Sequence, residues 1–229
     1  AQKKPRERFM IRSLHATLAR WRAREHWNAV RDLPIHRQYD RLQAIFIHIP
    51  KTAGLSVSHA LFDGEESQHR DAFQMRLIFG NRDFRRFFKF TFVRDPLDRF
   101  FSAYYFLREG GISELDREFA VQSGIRDAPP SAFLDRLLRD PSIRNYLHFA
   151  PQWPYAFTPA GRQEVDFLGH FESLQADFQT VAKGLGLDVE LPRKNTGRGR
   201  PYNPDHDFSP EDKEKVRVLY RKDYALLQY

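Results

Sequence analysis

The sequence predicts an α/β fold in which a central parallel sheet is flanked by helices on both faces. Two short runs, "AIFIHI" (44–49) and "FFKFTFV" (87–93), are apolar or aromatic and have the length of buried strands. A segment with the apolar spacing of a helix follows each of them. Strands that alternate with helices form a parallel sheet, because each crossover places a helix against one face.

The first helices are predicted from glycine, proline and capping residues as well as from apolar spacing. After the first strand, a helix is expected to begin at Gly54. A second helix is expected over 71–80, with the terminal Gly80 as a common stop signal. Asp95 and Pro96 are typical of the N-cap and first residue of a third helix.

The second half of the chain continues the alternation. A helix is predicted after Pro130 with Ser131 as its N-cap, and "VDFLGHF" (165–171) is predicted to be a third strand. A helix over about 174–185 follows this strand. One last helix is expected to begin after the N-cap Ser209 and to face the core with Val216, Leu219, Tyr220 and Leu227.

The positive charge is concentrated at the start of the chain. Residues 1–43 contain eleven Lys and Arg against four Asp and Glu, so this segment accounts for the whole net charge of +7. We expect it to form a basic helical arm, with the helix over about 9–30. Such an arm either packs on the domain as a solvated helix or contacts an anionic membrane or polymer. Its predicted apolar stripe consists of Met10, Leu14, Leu18 and Trp21.

The composition excludes several classes of protein. A chain that is 41% hydrophobic and 14% aromatic can form a core, so a disordered protein is disfavoured. The absence of cysteine excludes disulfides, thiolate metal sites and cysteine nucleophiles. No apolar run reaches the roughly 18 residues of a membrane span, and we identify no signal peptide.

The loop after the first strand has the features of an anion site. The first amides of a helix lack partners, and the helix dipole favours negative charge there. Lys51 adds a cation, Thr52 and Ser56 add hydroxyls, and Gly54 lets the backbone approach an anion closely. The motif differs from G-x-x-x-x-G-K-[ST], since the lysine precedes the glycine. A Walker-type Mg²⁺-dependent enzyme is therefore disfavoured, and a plain strand–helix turn is the alternative.

A second junction of this kind occurs in "FVRDPLDRFFSAYYF". Arg94 follows the second strand and is expected at the carboxyl edge of the sheet, where its guanidinium can bind a phosphate through two hydrogen bonds. Ser102 lies eight residues later, about two helical turns away. The alternative for Arg94 is an ion pair with Asp95 or Asp98.

Together, "HIPKTAGLSV" and "FKFTFVRDPLDRFFSAYYF" resemble the two nucleotide-binding signatures of the PAPS-dependent sulfotransferases, most of all the family 2 branch that modifies carbohydrates. The resemblance implies a P-loop-like three-layer fold for a sulfotransferase domain over 44–229. The donor would be 3′-phosphoadenosine 5′-phosphosulfate (PAPS), the product PAP, and the acceptor a hydroxyl of a carbohydrate or glycolipid. The similarity continues through "HFAPQW", "VDFLGHFESL" and "LPRKNTG".

The resemblance also implies roles for single residues. Lys51 would contact the 5′-phosphate and the bridging oxygen, and it would stabilise the charge left when the sulfuryl group departs. Arg94 and Ser102 would hold the 3′-phosphate. The other implied cofactor contacts are Thr52, Ala53, Gly54, Leu55 and Ser56 in the first loop, and Lys194, Asn195 and Thr196 in a late basic loop, for which a solvated turn is the alternative.

The acceptor hydroxyl requires a base, because its pKa is far above neutrality. His69 is the first choice, since related glycan sulfotransferases place a catalytic histidine in a similar stretch. His148 in "HFAPQW" is the alternative base, and Glu65 or Glu66 is a further option. We interpret His48 as a packed histidine at the end of a strand. None of the nine histidines is spaced convincingly for a metal site.

Two rival functions remain open at this point. One is a small-molecule kinase with a degenerate P-loop, and the other is a non-catalytic protein that binds anions or glycans. Specific nucleic-acid binding is not expected, because the loop 193–200 is short and lacks aromatic residues. We expect a cytoplasmic protein of bacterial type, with a trimmed lumenal domain of a Golgi-type enzyme as the alternative. The acceptor is not readable from the loops 110–130 and 151–164.

Overall fold

The computed structural model describes residues 29–192 and 203–229, and it has the predicted α/β fold. None of the helices in these ranges is long and apolar enough to cross a bilayer. The described elements are, in chain order, α1 (Pro34–Leu42), β1 (Ala44–Ile47), α2 (Gly54–Leu61), α3 (Ala72–Arg86), β2 (Phe88–Val93), α4 (Pro96–Arg108), α5 (Glu114–Gln122), α6 (Pro130–Arg139), α7 (Pro141–Arg144), α8 (Trp153–Ala156), β3 (Phe167–His170), α9 (Leu174–Gly184), α10 (Pro204–Asp207), α11 (Pro210–Leu219) and α12 (Arg221–Leu227).

The described strands form one parallel sheet in the order β1-β2-β3. Phe46 lies opposite Phe90, and Phe90 lies opposite Phe167 in the register. All of β1 and most of β2 are buried, which explains why their sequences are continuous apolar runs rather than alternating patterns. Because the strands are parallel, the loops that follow them meet at one edge of the sheet.

The core of the described residues consists of two clusters. One surrounds the sheet and includes Phe46 and Phe90, which stack with ring centroids 5.1 Å apart. The other lies around α4 and includes Phe101, Phe133 and Val216, all fully buried. Helix α4 therefore begins at the edge of the sheet and is anchored in the second cluster.

The last part of the segment predicted as an arm belongs to the core. In α1, Tyr39 is fully buried and its hydroxyl donates to the Phe46 carbonyl at 3.2 Å. Ile35 is also buried in the sheet cluster. The packed part of the chain therefore extends into 1–43. The remainder of the predicted helix, up to residue 28, lies outside the described residues.

Two predicted N-caps are confirmed. The Asp95 carboxylate accepts a hydrogen bond from the Asp98 amide at 2.8 Å, and Pro96 is the first residue of α4. The Ser209 hydroxyl accepts from the Asp212 amide at 3.1 Å at the start of α11. Both caps satisfy an amide that has no partner within its helix.

Two predicted helix boundaries were wrong, and a third was partly confirmed. The backbone of Gly80 (φ 74°, ψ 163°) interrupts the helix as predicted, but a second helical stretch, included in α3, continues after this kink to Arg86. Ser131 is not an N-cap, because α6 already begins at Pro130. The last helix is divided at Tyr220, where the backbone leaves the helical conformation and the buried hydroxyl donates to the Phe149 carbonyl at 2.7 Å.

Candidate active site

The loop between β1 and α2 holds Lys51 in an uncommon backbone conformation. Lys51 and Ala53 both have positive φ, at 71° and 68°. Such conformations cost on the order of 1 kcal/mol or more outside glycine and are concentrated at functional sites. Thr52 lies between them, is fully buried and donates its hydroxyl to the Ile49 carbonyl at 2.9 Å. Buried contacts therefore hold the loop in one shape.

The N-terminus of α2 is suited to an anion. Among the described residues, no side chain caps this helix, and its first turn contains no acidic residue. The Ala53 carbonyl accepts from the amides of Ser56 and Val57 at 3.0 and 3.2 Å, so the first turn is well formed. The positive end of the helix dipole thus lies next to Lys51.

Gly54 is required by its contact with His48. A methyl group at this position would lie 1.8 Å from Nε2 of His48. The His48 ring is buried, stacks on Phe46 with centroids 5.5 Å apart, and has Nδ1 2.8 Å from the Ser67 hydroxyl. Burial lowers the pKa of His48 to about 3, so the ring is neutral. His48 is therefore a packed residue, in agreement with the interpretation from sequence.

Arg94 lies at the same edge of the sheet and contacts the Lys51 loop. Its Nη1 donates to the Lys51 carbonyl at 3.2 Å. Its Nε donates to the Asp98 carboxylate at 2.5 Å, and its guanidinium carbon lies 4.0 Å from the centre of the Phe171 ring. The structure therefore contains the ion pair considered as the alternative, and it also brings the two strand–helix junctions together.

Gln152 holds the backbone of Arg94, which the sequence did not predict. Its side chain accepts from the Arg94 amide at 3.0 Å and donates to the Arg94 carbonyl at 2.7 Å. The backbone amides of Gln152 and Trp153 donate in turn to the Asp223 carboxylate, at 2.9 and 2.8 Å. Gln152 and Asp223 are fully buried, and burial raises the pKa of Asp223. The sequence did contain a signal for Gln152, because it lies in "HFAPQW", which is part of the family resemblance. No contact of this glutamine could be predicted from that motif.

The Lys51 ammonium is largely removed from water. Its Nζ lies 3.6 Å from the centre of the Phe106 ring, within cation–π distance. Burial, followed by the nearby Arg94 guanidinium, lowers the pKa of Lys51 to about 8, although the Asp116 carboxylate acts in the opposite direction. The side chain is therefore mainly cationic at neutral pH and lacks the solvation of a surface lysine, so an anionic ligand would stabilise it strongly.

His69 adopts a tautomer that suits a base. Its Nδ1 lies 3.2 Å from the His48 carbonyl, which can only accept, so this nitrogen carries the proton. The lone pair is then on Nε2. Burial lowers the pKa of His69, which keeps the ring neutral at pH 7, and the side chain remains half-buried. The ring centroid lies 4.2 Å from that of His48 and 6.4 Å from that of His148.

His148 is buried and paired with a carboxylate. Its Nε2 lies 3.2 Å from Oδ1 of Asp116, and its ring centroid is 5.0 Å from that of Phe106. The Lys51 ammonium lies over this same Phe106 ring. Burial lowers the pKa of His148, and Asp116 only partly offsets this. Asp116 was missed by the sequence analysis, although Ser113 and Asp116 have the spacing of a capping box.

A family model described as the sulfotransferase family matches residues 37–229, most of the chain. The chain belongs to the sulfotransferase family. The match is consistent with the family 2 branch and begins within α1, which agrees with the packing of Tyr39. No curated protein and no solved structure matches the chain significantly. Membership supports a sulfotransferase activity and accords with the P-loop-like architecture of the sheet and its first loop.

The other predicted site residues of this sulfotransferase are distributed as follows. Leu55 is exposed in the first turn of α2, whereas Ser56 is buried there. Ser102 is half-buried on α4. Within the described ranges, no group of three His, Asp or Glu residues could hold a metal ion. Lys194, Asn195 and Thr196 lie outside the described residues.

The two loops expected to surround the acceptor contain helices. The stretch 110–130 includes α5, which carries Asp116, and the stretch 151–164 includes the short helix α8. Four residues outside these two stretches determine the electrostatic character of the site. Two cations, Lys51 and Arg94, lie near the edge of the sheet. Two neutral histidines, His69 and His148, lie beside them.

Proposed function

We propose that this sulfotransferase uses PAPS as donor and transfers its sulfuryl group to a hydroxyl of a carbohydrate or glycolipid. The observation that carries the proposal is the hydrogen bond from Arg94 Nη1 to the Lys51 carbonyl, at 3.2 Å. It joins two cationic strand–helix junctions beside the uncapped N-terminus of α2. This arrangement suits a ligand with two separate phosphate groups.

The donor is bound by the residues of both junctions. Lys51 contacts the 5′-phosphate together with the first backbone amides of α2 and the Ser56 hydroxyl, while the buried Thr52 maintains the shape of the loop. Arg94 and Ser102 bind the 3′-phosphate. Arg94 then exchanges the Asp98 carboxylate for a phosphate, and its backbone remains in place because Gln152 holds both of its polar groups.

The reaction is an in-line displacement at sulfur. A bond forms between the acceptor oxygen and sulfur while the bond from sulfur to the 5′-phosphate oxygen breaks. The proton of the acceptor hydroxyl passes to Nε2 of His69. The other ring nitrogen, Nδ1, already carries a proton and donates it to the His48 carbonyl. The negative charge that remains on PAP is neutralised by the Lys51 ammonium.

A thermal-shift comparison of PAP, Mg²⁺-ATP and anionic glycans tests the donor. PAP at a hundred times its Kd is expected to stabilise the protein by about 2.7 kcal/mol. Mg²⁺-ATP is expected to produce no comparable shift. A shift with Mg²⁺-ATP and none with PAP would support a kinase, and a shift with glycans alone would support a non-catalytic binding protein.

His69→Ala tests the base. The variant is expected to lose sulfuryl transfer while it retains PAP binding by calorimetry, because His69 acts on the acceptor. His206→Ala is the matched control, since that histidine is exposed and pairs only with Asp207 among the described residues. If His69→Ala lost PAP binding as well, His69 would be a structural residue.

A further inference from the structure

Asp116 accepts four hydrogen bonds within the described part of the chain. Oδ2 accepts from the amides of Ile112 and Ser113 at 3.2 and 3.1 Å. Oδ1 accepts from the Tyr146 hydroxyl at 2.8 Å and faces Nε2 of His148 at 3.2 Å. Burial alone would raise the pKa of Asp116, but hydrogen bonds from His148, Ser113 and Tyr146 outweigh it and hold the pKa well below its usual range. The carboxylate is therefore ionised.

An ionised carboxylate determines the tautomer of a neutral histidine beside it. Because Asp116 can only accept, Nε2 of His148 must carry the proton, and the lone pair is on Nδ1. In the described residues, this Nδ1 is buried without any hydrogen-bond partner. His148 is only 8% exposed, so water does not easily provide one. A buried acceptor without a partner is unfavourable unless a bound ligand supplies a donor.

The surroundings of His148 indicate which ligand that is. Its ring centroid is 6.4 Å from that of His69, which allows both imidazoles to contact one polyhydroxylated molecule. The ring also contacts Phe106, over which the Lys51 ammonium lies. If Lys51 moves towards a bound donor, Phe106 can shift, and Nδ1 of His148 then becomes accessible to the acceptor.

We propose that Asp116 is a positioning residue that keeps the proton of His148 on Nε2, so that Nδ1 accepts a hydrogen bond from the acceptor substrate beside His69. This inference rests on the proposed function. His69 takes the proton of the hydroxyl that is sulfated, and His148 holds a neighbouring hydroxyl of the same acceptor. The pair thus selects a substrate with two adjacent hydroxyl groups, as in a sugar ring.

Asp116→Asn is the decisive variant, because it is expected to reverse the tautomer. The backbone amides of Ile112 and Ser113 can only donate, so they will retain their hydrogen bonds to the one side-chain oxygen of the asparagine. Its amino group then faces Tyr146 and His148. The tyrosine hydroxyl can rotate to accept, but Nε2 of His148 can accept only if the proton moves to Nδ1.

The tautomer is measured on the full chain labelled with ¹⁵N-histidine, using long-range ¹H–¹⁵N correlation spectra. The His148 signals are assigned by their loss in His148→Gln. We expect the Nε2–H form in the unmodified protein and the Nδ1–H form in Asp116→Asn. Asp212→Asn is the matched control, since Asp212 has the same capping-box position in α11 and no contact with His148 in the described structure. It should leave the tautomer unchanged.

Kinetics separate a positioning role from a purely structural one. With PAPS and a p-nitrophenyl glycoside, Asp116→Asn should raise the KM of the glycoside about 10-fold, and more than it raises the KM of PAPS, which changes only because the Asp116 charge near Lys51 is lost. An Nδ1–H tautomer in the unmodified protein, an unaltered tautomer in Asp116→Asn, or an unaltered KM of the glycoside would overturn the inference. Failure of PAP to bind would instead count against the proposed function, and the spectra would still decide the role of Asp116.

Discussion

Nε2 of His48 lies where a side chain on residue 54 would have to be, 1.8 Å from the position of a methyl group on Gly54. This contact joins the end of β1 to the first residue of α2, on the two sides of Lys51. The carbonyl of the same His48 accepts from His69 at 3.2 Å. One buried histidine therefore sets the geometry of the cationic loop and of the candidate base.

Gly54→Ala is expected to destabilise the protein by about 1–3 kcal/mol, because the added methyl group must displace a packed ring. Urea unfolding followed by circular dichroism measures this change. Gly184→Ala is the control, since Gly184 also lies in a helix but has no atom within 4 Å of an added methyl group. That variant should be neutral or stabilised by up to about 1 kcal/mol. Equal stabilities of the two variants would contradict the role given to His48.

Local signals in the sequence were sufficient for most of the fold. The apolar runs at 44–49 and 87–93 predicted β1 and β2, and Asp95 with Pro96 predicted the start of α4. The errors occurred where a local signal has more than one outcome. Gly80 does interrupt the helix, as its positive φ requires, but the chain resumes a helix directly after it and continues to Arg86, which the sequence did not indicate.

The candidate site was less predictable, because its contacts join distant parts of the chain. Lys51 and Arg94 were predicted from their junctions, but the hydrogen bond from the Arg94 guanidinium to the Lys51 carbonyl was not. Gln152 reaches Arg94 across 58 residues, and His148 reaches Asp116 across 32. No periodicity or capping rule encodes such distances, so only the packed structure reveals them.

Gln152→Ala is expected to weaken both the fold and the donor site. The amide and carbonyl of Arg94 would each lose a buried partner, at a cost of about 1–3 kcal/mol in the free energy of unfolding. PAP affinity, measured by calorimetry, should fall because Arg94 is no longer held. Gln179→Ala is the control, since the Gln179 amide donates to the Val189 carbonyl at 3.1 Å. PAP affinity unchanged in Gln152→Ala would show that Arg94 does not need this support.

Lys51→Ala is expected to lower the turnover of sulfuryl transfer by at least about 100-fold, because the leaving phosphate loses its counter-charge. PAP release from PAPS measures turnover, and the melting temperature should change little. Lys222→Ala is the matched control, because the Lys222 ammonium also lies 3.6 Å from an aromatic ring centre, that of Trp153. Near-native transfer by Lys51→Ala would refute the proposed mechanism.

The pH profile should reflect the low pKa of Lys51. Because burial lowers this pKa to about 8, kcat/KM for PAPS should fall as the pH rises through about 8, where the lysine loses its charge. On the acid side it should fall only below the ordinary pKa of histidine, because burial lowers the pKa of His69 and the base must be neutral. Lys51→Arg should lose the alkaline decline, since arginine stays charged. If kcat/KM still declined at alkaline pH in this variant, the decline would be caused by the titration of a group other than Lys51.

Truncation separates α1, which packs in the core, from residues 1–28, which carry most of the charge of the N-terminal segment. Deletion of 1–28 removes eight Lys and Arg against two Asp and Glu, and it leaves α1 intact. The melting temperature should not change. Deletion of 1–43 also removes the fully buried Tyr39 with its hydrogen bond to Phe46, and it should cost at least about 3–5 kcal/mol or prevent folding.

The same truncation tests the predicted anionic partner of the arm. The full chain is expected to sediment with anionic liposomes at low salt and to be released at high salt, because surface charges are screened over a few ångströms there. The chain without 1–28 should remain in the supernatant at both salt concentrations while it retains PAP binding. Liposome binding that survives this deletion would assign the contact to the domain and leave the arm without the proposed role.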